Sequence, residues 1–181
     1  MKKVQLSHRM YSIADIKRLL TSKELIIQPK YQRRRTNWPQ TAKTSLIDTL
    51  LSNYPIQPIY LREYTTEKRE RRKEIIDGQQ RISTIIEFIQ DSYELSKNFS
   101  DSTLHGYKFS ELSFEVQQDI LDYELSFISI KGATDSDVIS IFSDAYTNVP
   151  DVYFNPDWAQ NTSVNEAFEI VPGSGNLSLE Y

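Results

Sequence analysis

Apolar residues return at helical spacing in five stretches of the chain. Ser12 and Asp15 bracket the start of the first, in which Ile13, Ile16, Leu19 and Leu20 are apolar, and this predicts an N-capped amphipathic helix over about 12–22. A second helix over about 40–52 carries Ala42, Leu46, Ile47 and Leu50 on its apolar side and is stopped by Asn53-Tyr54-Pro55. The third, about 79–91, places Ile82, Ile85, Ile86 and Ile89 on one face. Ser113 can cap a helix running through Leu121, and Asp135 can cap a last one with Val138, Ile139, Ile141 and Phe142.

Shorter apolar runs read as strands. LIIQ (25–28) is one, and PIYL (58–61) and EIID (74–77) suit a hairpin with a long charged loop. ELSFISI (124–130) sets Leu125 and Phe127 against Ile128 and Ile130, the pattern of a strand partly buried on both faces. Residues 92–109 read as an irregular connection. Beyond about Asn148 no period survives among Pro150, Pro156, Pro172, Gly173, Gly175 and scattered aromatics. The expected architecture is α/β (α+β), with a domain over 1–147 and an irregular, partly ordered tail over 148–181.

Composition narrows the chemistry. The 181 residues are 39% hydrophobic and contain no cysteine, which removes disulfides, thiolate nucleophiles, cysteine-ligated zinc and iron–sulfur clusters. His8 and His105 are the only imidazoles, so no metal site is expected from histidine. No run approaches a membrane span, and MKKVQLSHRM lacks a secretory apolar stretch, so a cytoplasmic protein without membrane partners is expected. Charge is divided unevenly. Residues 1–90 hold 18 Lys and Arg against 9 Asp and Glu, whereas residues 91–181 hold 3 against 16. The basic residues gather in KYQRRR (30–35) and KRERRK (68–73), a distribution suited to phosphates or nucleic acid. Glu67, Glu70 and Glu74 interleave the second stretch, which also fits a solvated hairpin tip.

DGQQR (77–81) stands between a strand and a helix. The structural explanation is a cap: Asp77 accepts from the first-turn amides and Gln80 answers as in a capping box, at about 1 kcal/mol. That leaves Gln79 and Arg81 without a role. In the functional explanation the positive end of the helix seats a phosphate, Gly78 admits it to the backbone, and Arg81 grips it with its planar fork. An arginine in the first turn opposes the helix dipole, so a bound anion or an acidic partner would offset that cost. PKYQRRRTNW (29–38) adds Tyr31 and Trp38 as stacking surfaces beside Gln32, Arg33, Arg34 and Arg35, although Trp38 taken alone is better read as a core anchor flanking a helix.

PxYQR followed by Trp, then YPIQPIYL, then IIDGQQRISTIIEFI resembles the ParB-like domain found at the N-terminus of GmrSD-type modification-dependent restriction enzymes and related phage-defence proteins, over roughly residues 10–145. The resemblance implies a ParB/sulfiredoxin-like core, a small mixed sheet flanked by helices, in which the motif belongs to a site that binds and hydrolyses NTP. By motif position it assigns Asp77, Gln79, Gln80 and Arg81 to catalysis and Tyr31, Gln32, Arg33 and Gly78 to nucleotide binding, with Mg2+ accompanying the nucleotide. Implied partners are DNA and a nuclease.

Two departures stand out. After VISIF the family continues into a segment bearing an arginine and an asparagine, and SDAYTNVPDVYFNPDW does not align with it. The histidine–asparagine–histidine nuclease finger cannot be built from two distant histidines, so cleavage calls for a partner chain or a further region. The residues alone fit two other readings: a non-catalytic nucleic-acid-binding or interaction domain in which DGQQR is a structural turn, and a folded relative without activity.

Overall fold

The computed structural model describes residues 4–27, 38–134 and 136–138. Tyr31, Gln32 and Arg33, the cap expected at Asp135, the helix residues Ile139, Ile141 and Phe142, and the tail 148–181 lie outside the described residues. In chain order the elements are β1 (Gln5–Ser12), α1 (Ile13–Thr21), β2 (Leu25–Ile27), α2 (Gln40–Leu51), β3 (Ile59–Thr65), β4 (Arg71–Asp77), α3 (Gln79–Ile89), α4 (Phe114–Asp122) and β5 (Glu124–Lys131), with 3-10 turns at Ser102–Leu104 and Phe109–Glu111. This is the mixed α/β architecture expected from the sequence.

The five strands lie in the order β1-β5-β3-β4-β2. β1 with β5 and β3 with β4 are antiparallel, while β3 with β5 and β2 with β4 are parallel. The main core lies where the helices meet one sheet face: Ile13 and Ile16 of α1, Ile47 of α2, Ile82, Ile85 and Phe88 of α3 and Ile120 of α4 are buried with Leu61, Ile75 and Phe127 of the strands. Fully burying one such side chain stabilises the fold by roughly 1.5–3 kcal/mol. A smaller cluster of Ile76, Ile130, Ala133 and Val138 gathers separately. β5 therefore contributes to both clusters, as its imperfect alternation required.

Local signals account for the helix starts. The Ser12 hydroxyl accepts the Asp15 N–H at 3.1 Å, and the Ser113 hydroxyl accepts the Val116 N–H at 3.4 Å. α1 then carries the chain from one edge strand to the other. Its nine residues rise about 14 Å, and the edge strands of a flat five-stranded sheet lie roughly 19 Å apart. Twist shortens the path, and Lys73 Nζ stands 5.6 Å from the Tyr11 ring centre. No helix among the described residues is long and apolar enough to cross a membrane.

The structure differs from the sequence reading in two elements. β1 has too little alternation to announce itself, and it exists through unbroken pairing with β5 from Gln5↔Lys131 to Ser12↔Glu124. The hairpin of β3 and β4 is longer than PIYL and EIID suggest, because its charged positions find partners across the strands. Glu74, buried, accepts from Tyr64 at 3.0 Å and lies 3.9 Å from Arg62. Arg72 donates to the Lys23 carbonyl at 2.6 Å and pairs with Glu70 at 2.7 Å. The connection shrinks to a tight turn closed by the Thr66 N–H on the Glu70 carbonyl at 2.9 Å. Lys68, Arg69 and Arg71 are exposed there, so KRERRK is a solvated hairpin tip running into β4.

Candidate functional site: the turn at Gly78

Gly78 links β4 to α3 with φ 88° and ψ 10°, a left-handed conformation that glycine adopts without strain. Space makes the same demand. A Cβ at this position would stand 2.3 Å from Ile59 Cδ1 and 3.1 Å from Arg81 Nη2. The apolar stripe of Ile82, Ile85, Phe88 and Ile89 then fixes the direction of α3 against the sheet. On the far side of that helix Lys43 of α2 pairs with Glu87 at 2.6 Å and lies 5.1 Å from the Tyr93 ring centre. Burial, aided by the Glu87 charge, pushes the Tyr93 hydroxyl well above its ordinary value.

The expected capping box is absent. Gly78, not Asp77, is the N-cap, and no side chain makes the cap hydrogen bond. The Asp77 carboxylate turns instead to Arg81, whose Nη2 lies 3.1 Å from Asp77 Oδ2. Nη1 of the same guanidinium donates to the Gln57 carbonyl, and Nη2 reaches the Pro58 carbonyl at 3.4 Å. Arg81 thus straps the chain just before β3 to the start of α3. It is 9% exposed, so this is a buried staple. The acidic partner needed by an arginine in the first helical turn is Asp77 itself.

Gln79 is also buried, and its Nε2 donates to the Ile75 carbonyl at 2.7 Å, tying the first residue of α3 to the end of β4. Gln80 is half-buried in the same turn. Four motif side chains thus divide their work: Gln79 and Arg81 hold the turn, Asp77 is held at its edge, and Gln80 stands beside it. The sequence reading missed Gln57, Pro58 and Ile59, whose carbonyls and side chain complete the turn. Their signal was the proline-flanked PIQPI (55–59), which forces extended backbone and presents carbonyls.

The two basic stretches are not equivalent. Arg71 begins β4 and Asp77 ends it, so the hairpin tip lies about 20 Å from the turn along the strand. KRERRK therefore does not share the Gly78 site. KYQRRR lies outside the described residues, but the chain leaves β2 at Ile27, which pairs in parallel with Ile75, two positions before Asp77. It returns at Trp38, which is buried in the core and so is the anchor rather than a stacking surface. Among the described residues no group of three or more His, Cys, Asp or Glu could hold a metal ion.

No curated protein and no solved structure matches this chain. The model of the family described as "GmrSD restriction endonuclease, N-terminal domain" matches residues 16–171, a span that takes in the turn, the sheet from β2 to β5, α1 from Ile16 onward and α2 to α4. The chain belongs to the GmrSD restriction endonuclease N-terminal domain family.

Proposed function

We propose that this chain is a nucleotide-binding and NTP-hydrolysing module of a restriction or phage-defence system, and that it regulates DNA cleavage by a partner nuclease. The ParB/sulfiredoxin-like character of the core and the catalytic reading of DGQQR belong to the same proposal. The observation that carries it is a buried helix start whose cap is a glycine, with a carboxylate held beside it by an arginine that is itself tied to the backbone. Such a start offers the positive end of α3 to a phosphate.

In this reading the phosphates meet the backbone N–H groups that open α3 beside Gly78, and Tyr31, Gln32 and Arg33 bind nucleotide from the segment that follows β2. Asp77 orients the attacking water or a divalent ion, and Gln80 contacts the phosphates or that water. Arg81 and Gln79 are positioning residues, because each is committed to neighbouring backbone. A Mg2+ that travels with a triphosphate needs one or two protein carboxylates. Asp77, which does not cap α3, fits that need, and the ion would neutralise phosphate charge.

The test is phosphate release from several NTPs with magnesium, in the parent and in Asp77→Ala and Arg81→Ala. Turnover lost in both variants supports the proposal. No turnover together with no nucleotide-induced rise in Tm overturns it. The exposed cations at the hairpin tip favour a second reading, a non-catalytic nucleic-acid-binding domain. Salt-sensitive DNA binding that is indifferent to Arg81→Ala would support that one.

A further inference from the structure

We infer that β1 is a self-association strand, through which two copies of this chain pair antiparallel about a two-fold axis at His8 and join their sheets into one. β1 is an edge strand whose partner among the described residues is β5. It is eight residues long, longer than the usual strand of about 5–6. Edge strands are normally blunted by shortness, lysine, proline, inward charges or a bulge. Gln5–Ser12 contains no lysine, proline or carboxylate, and its pairing runs without a register shift. Leu6 is 64% exposed and Met10 52% exposed, and their even spacing sets them on the same side of the strand as Val4 and His8.

The register follows from geometry and charge. Residues directly opposite in an antiparallel pair point to the same side of the sheet, so the axis must pass through a residue and not between two. At Arg9 it would set the two arginines against each other. At Ser7 it would set Leu6 against His8 and leave Tyr11 without an opposite residue in the partner strand. At His8 it places Leu6 opposite Met10 of the second copy on both sides of the axis, and it separates the arginines.

The odd-numbered side of β1 fits the same register: in the His8-centred pair Ser7 lies opposite Arg9 and Tyr11 opposite Gln5, so no like charges meet directly. β1 lies at the opposite side of the sheet from β4, so the Gly78 turn stays open in the pair and the inference stands apart from the nucleotide reading.

The absence of cysteine makes the register directly testable. Under mild oxidation His8→Cys, with its two sulfurs meeting at the axis, should form a covalent dimer. Leu6→Cys and Met10→Cys should stay unlinked singly and link when combined. Sedimentation velocity should show a dimer for the full chain. A Leu6→Lys/Met10→Lys variant with unchanged circular dichroism should dissociate about tenfold more readily or worse, since each change acts twice. A chain that is monomeric at every concentration overturns the inference. So does equal cross-linking of the three single-cysteine variants, or a dimer unaffected by the two lysines.

Discussion

Two strand-to-helix turns in this molecule use the same opening and finish it differently. β4 ends at Asp77 and turns through Gly78 at φ 88°, and β5 ends at Lys131 and turns through Gly132 at φ 79°. After Gly132 the chain completes itself locally. The Asp137 N–H donates to the Thr134 hydroxyl at 3.2 Å, the Thr134 N–H donates to Asp137 Oδ2 at 2.7 Å, and the Val138 N–H returns to the Thr134 carbonyl at 3.0 Å. This is a reciprocal cap made by two residues three positions apart. After Gly78 no side chain caps the helix, and the nearby carboxylate is claimed by an arginine that reaches back to Gln57 and Pro58. The turn at Gly132 is a stable joint, whereas the turn at Gly78 sets aside a local stabiliser worth about 1 kcal/mol and replaces it with a long-range staple. Local rules are most often broken where a site needs its groups for something else.

The contrast depends most on Gly78, and its loss should have the largest effect. In Gly78→Ala the left-handed backbone costs about 1–2 kcal/mol, and the crowding against Ile59 adds roughly 1–3 kcal/mol. Urea unfolding should show their sum. Ile59→Val removes the Cδ1 atom that the new methyl meets most closely, so Gly78→Ala made in that background should cost distinctly less, the Arg81 contact at 3.1 Å remaining. Equal costs in the two backgrounds would mean that Ile59 does not shape the turn.

Nucleotide should then tell the two turns apart. With magnesium and an NTP at a hundredfold excess over Kd, linkage gives a stabilisation of about 2.7 kcal/mol. The parent and Thr134→Ala should both gain it, and Asp77→Ala should gain little. A gain retained in full by Asp77→Ala would remove this carboxylate from the site. Without ligand, Thr134→Ala should lose about 1 kcal/mol, the ordinary cost of a cap, and that loss should add to the Gly78→Ala loss without coupling.

The helices could be read from sequence because each depends on a short-range period and a nearby stop signal. Ser12 and Ser113 cap where expected, and Ile82, Ile85 and Ile89 line the buried face of α3. Fold class followed from these helices and the apolar runs between them. β1 could not be read, since a polar edge strand is defined by a partner more than a hundred residues away. The site was half readable. A glycine between a strand and a helix announced the turn, but the cap was assigned to Asp77 because sequence alone does not show that Arg81, four positions on, competes for the same carboxylate. Trp38 was better read as a helix-flanking anchor than as a stacking platform, although it stands beside a run of arginines, and it is buried in the core.

Loss of a first-turn carboxylate should separate a side-chain-capped helix start from the glycine-capped one, with the smallest effect of the set. Glu115 stands in the first turn of α4, where its own backbone N–H and then the Ser113 hydroxyl hold its carboxyl below the ordinary range. Its folded pKa is thus lower than the unfolded value of about 4.3. The group's contribution is complete above that value and is lost as pH falls through the folded pKa. Asp101, lowered by the Thr103 hydroxyl and N–H, follows the same course at its 3-10 turn. Because both carboxylates are solvent-exposed, the whole-molecule stability should barely move, and the change should be local. The protection of amides in the first turn of α4 against hydrogen exchange, taken relative to the intrinsic rate at each pH, should fall as the solution is taken below about pH 4. Glu115→Gln should show that lower protection already at neutral pH and little further loss on acidification. The start of α3, which has no acidic residue in its first turn, should keep its protection in Glu115→Gln, and a parallel loss there would mean that the substitution loosens more than one cap.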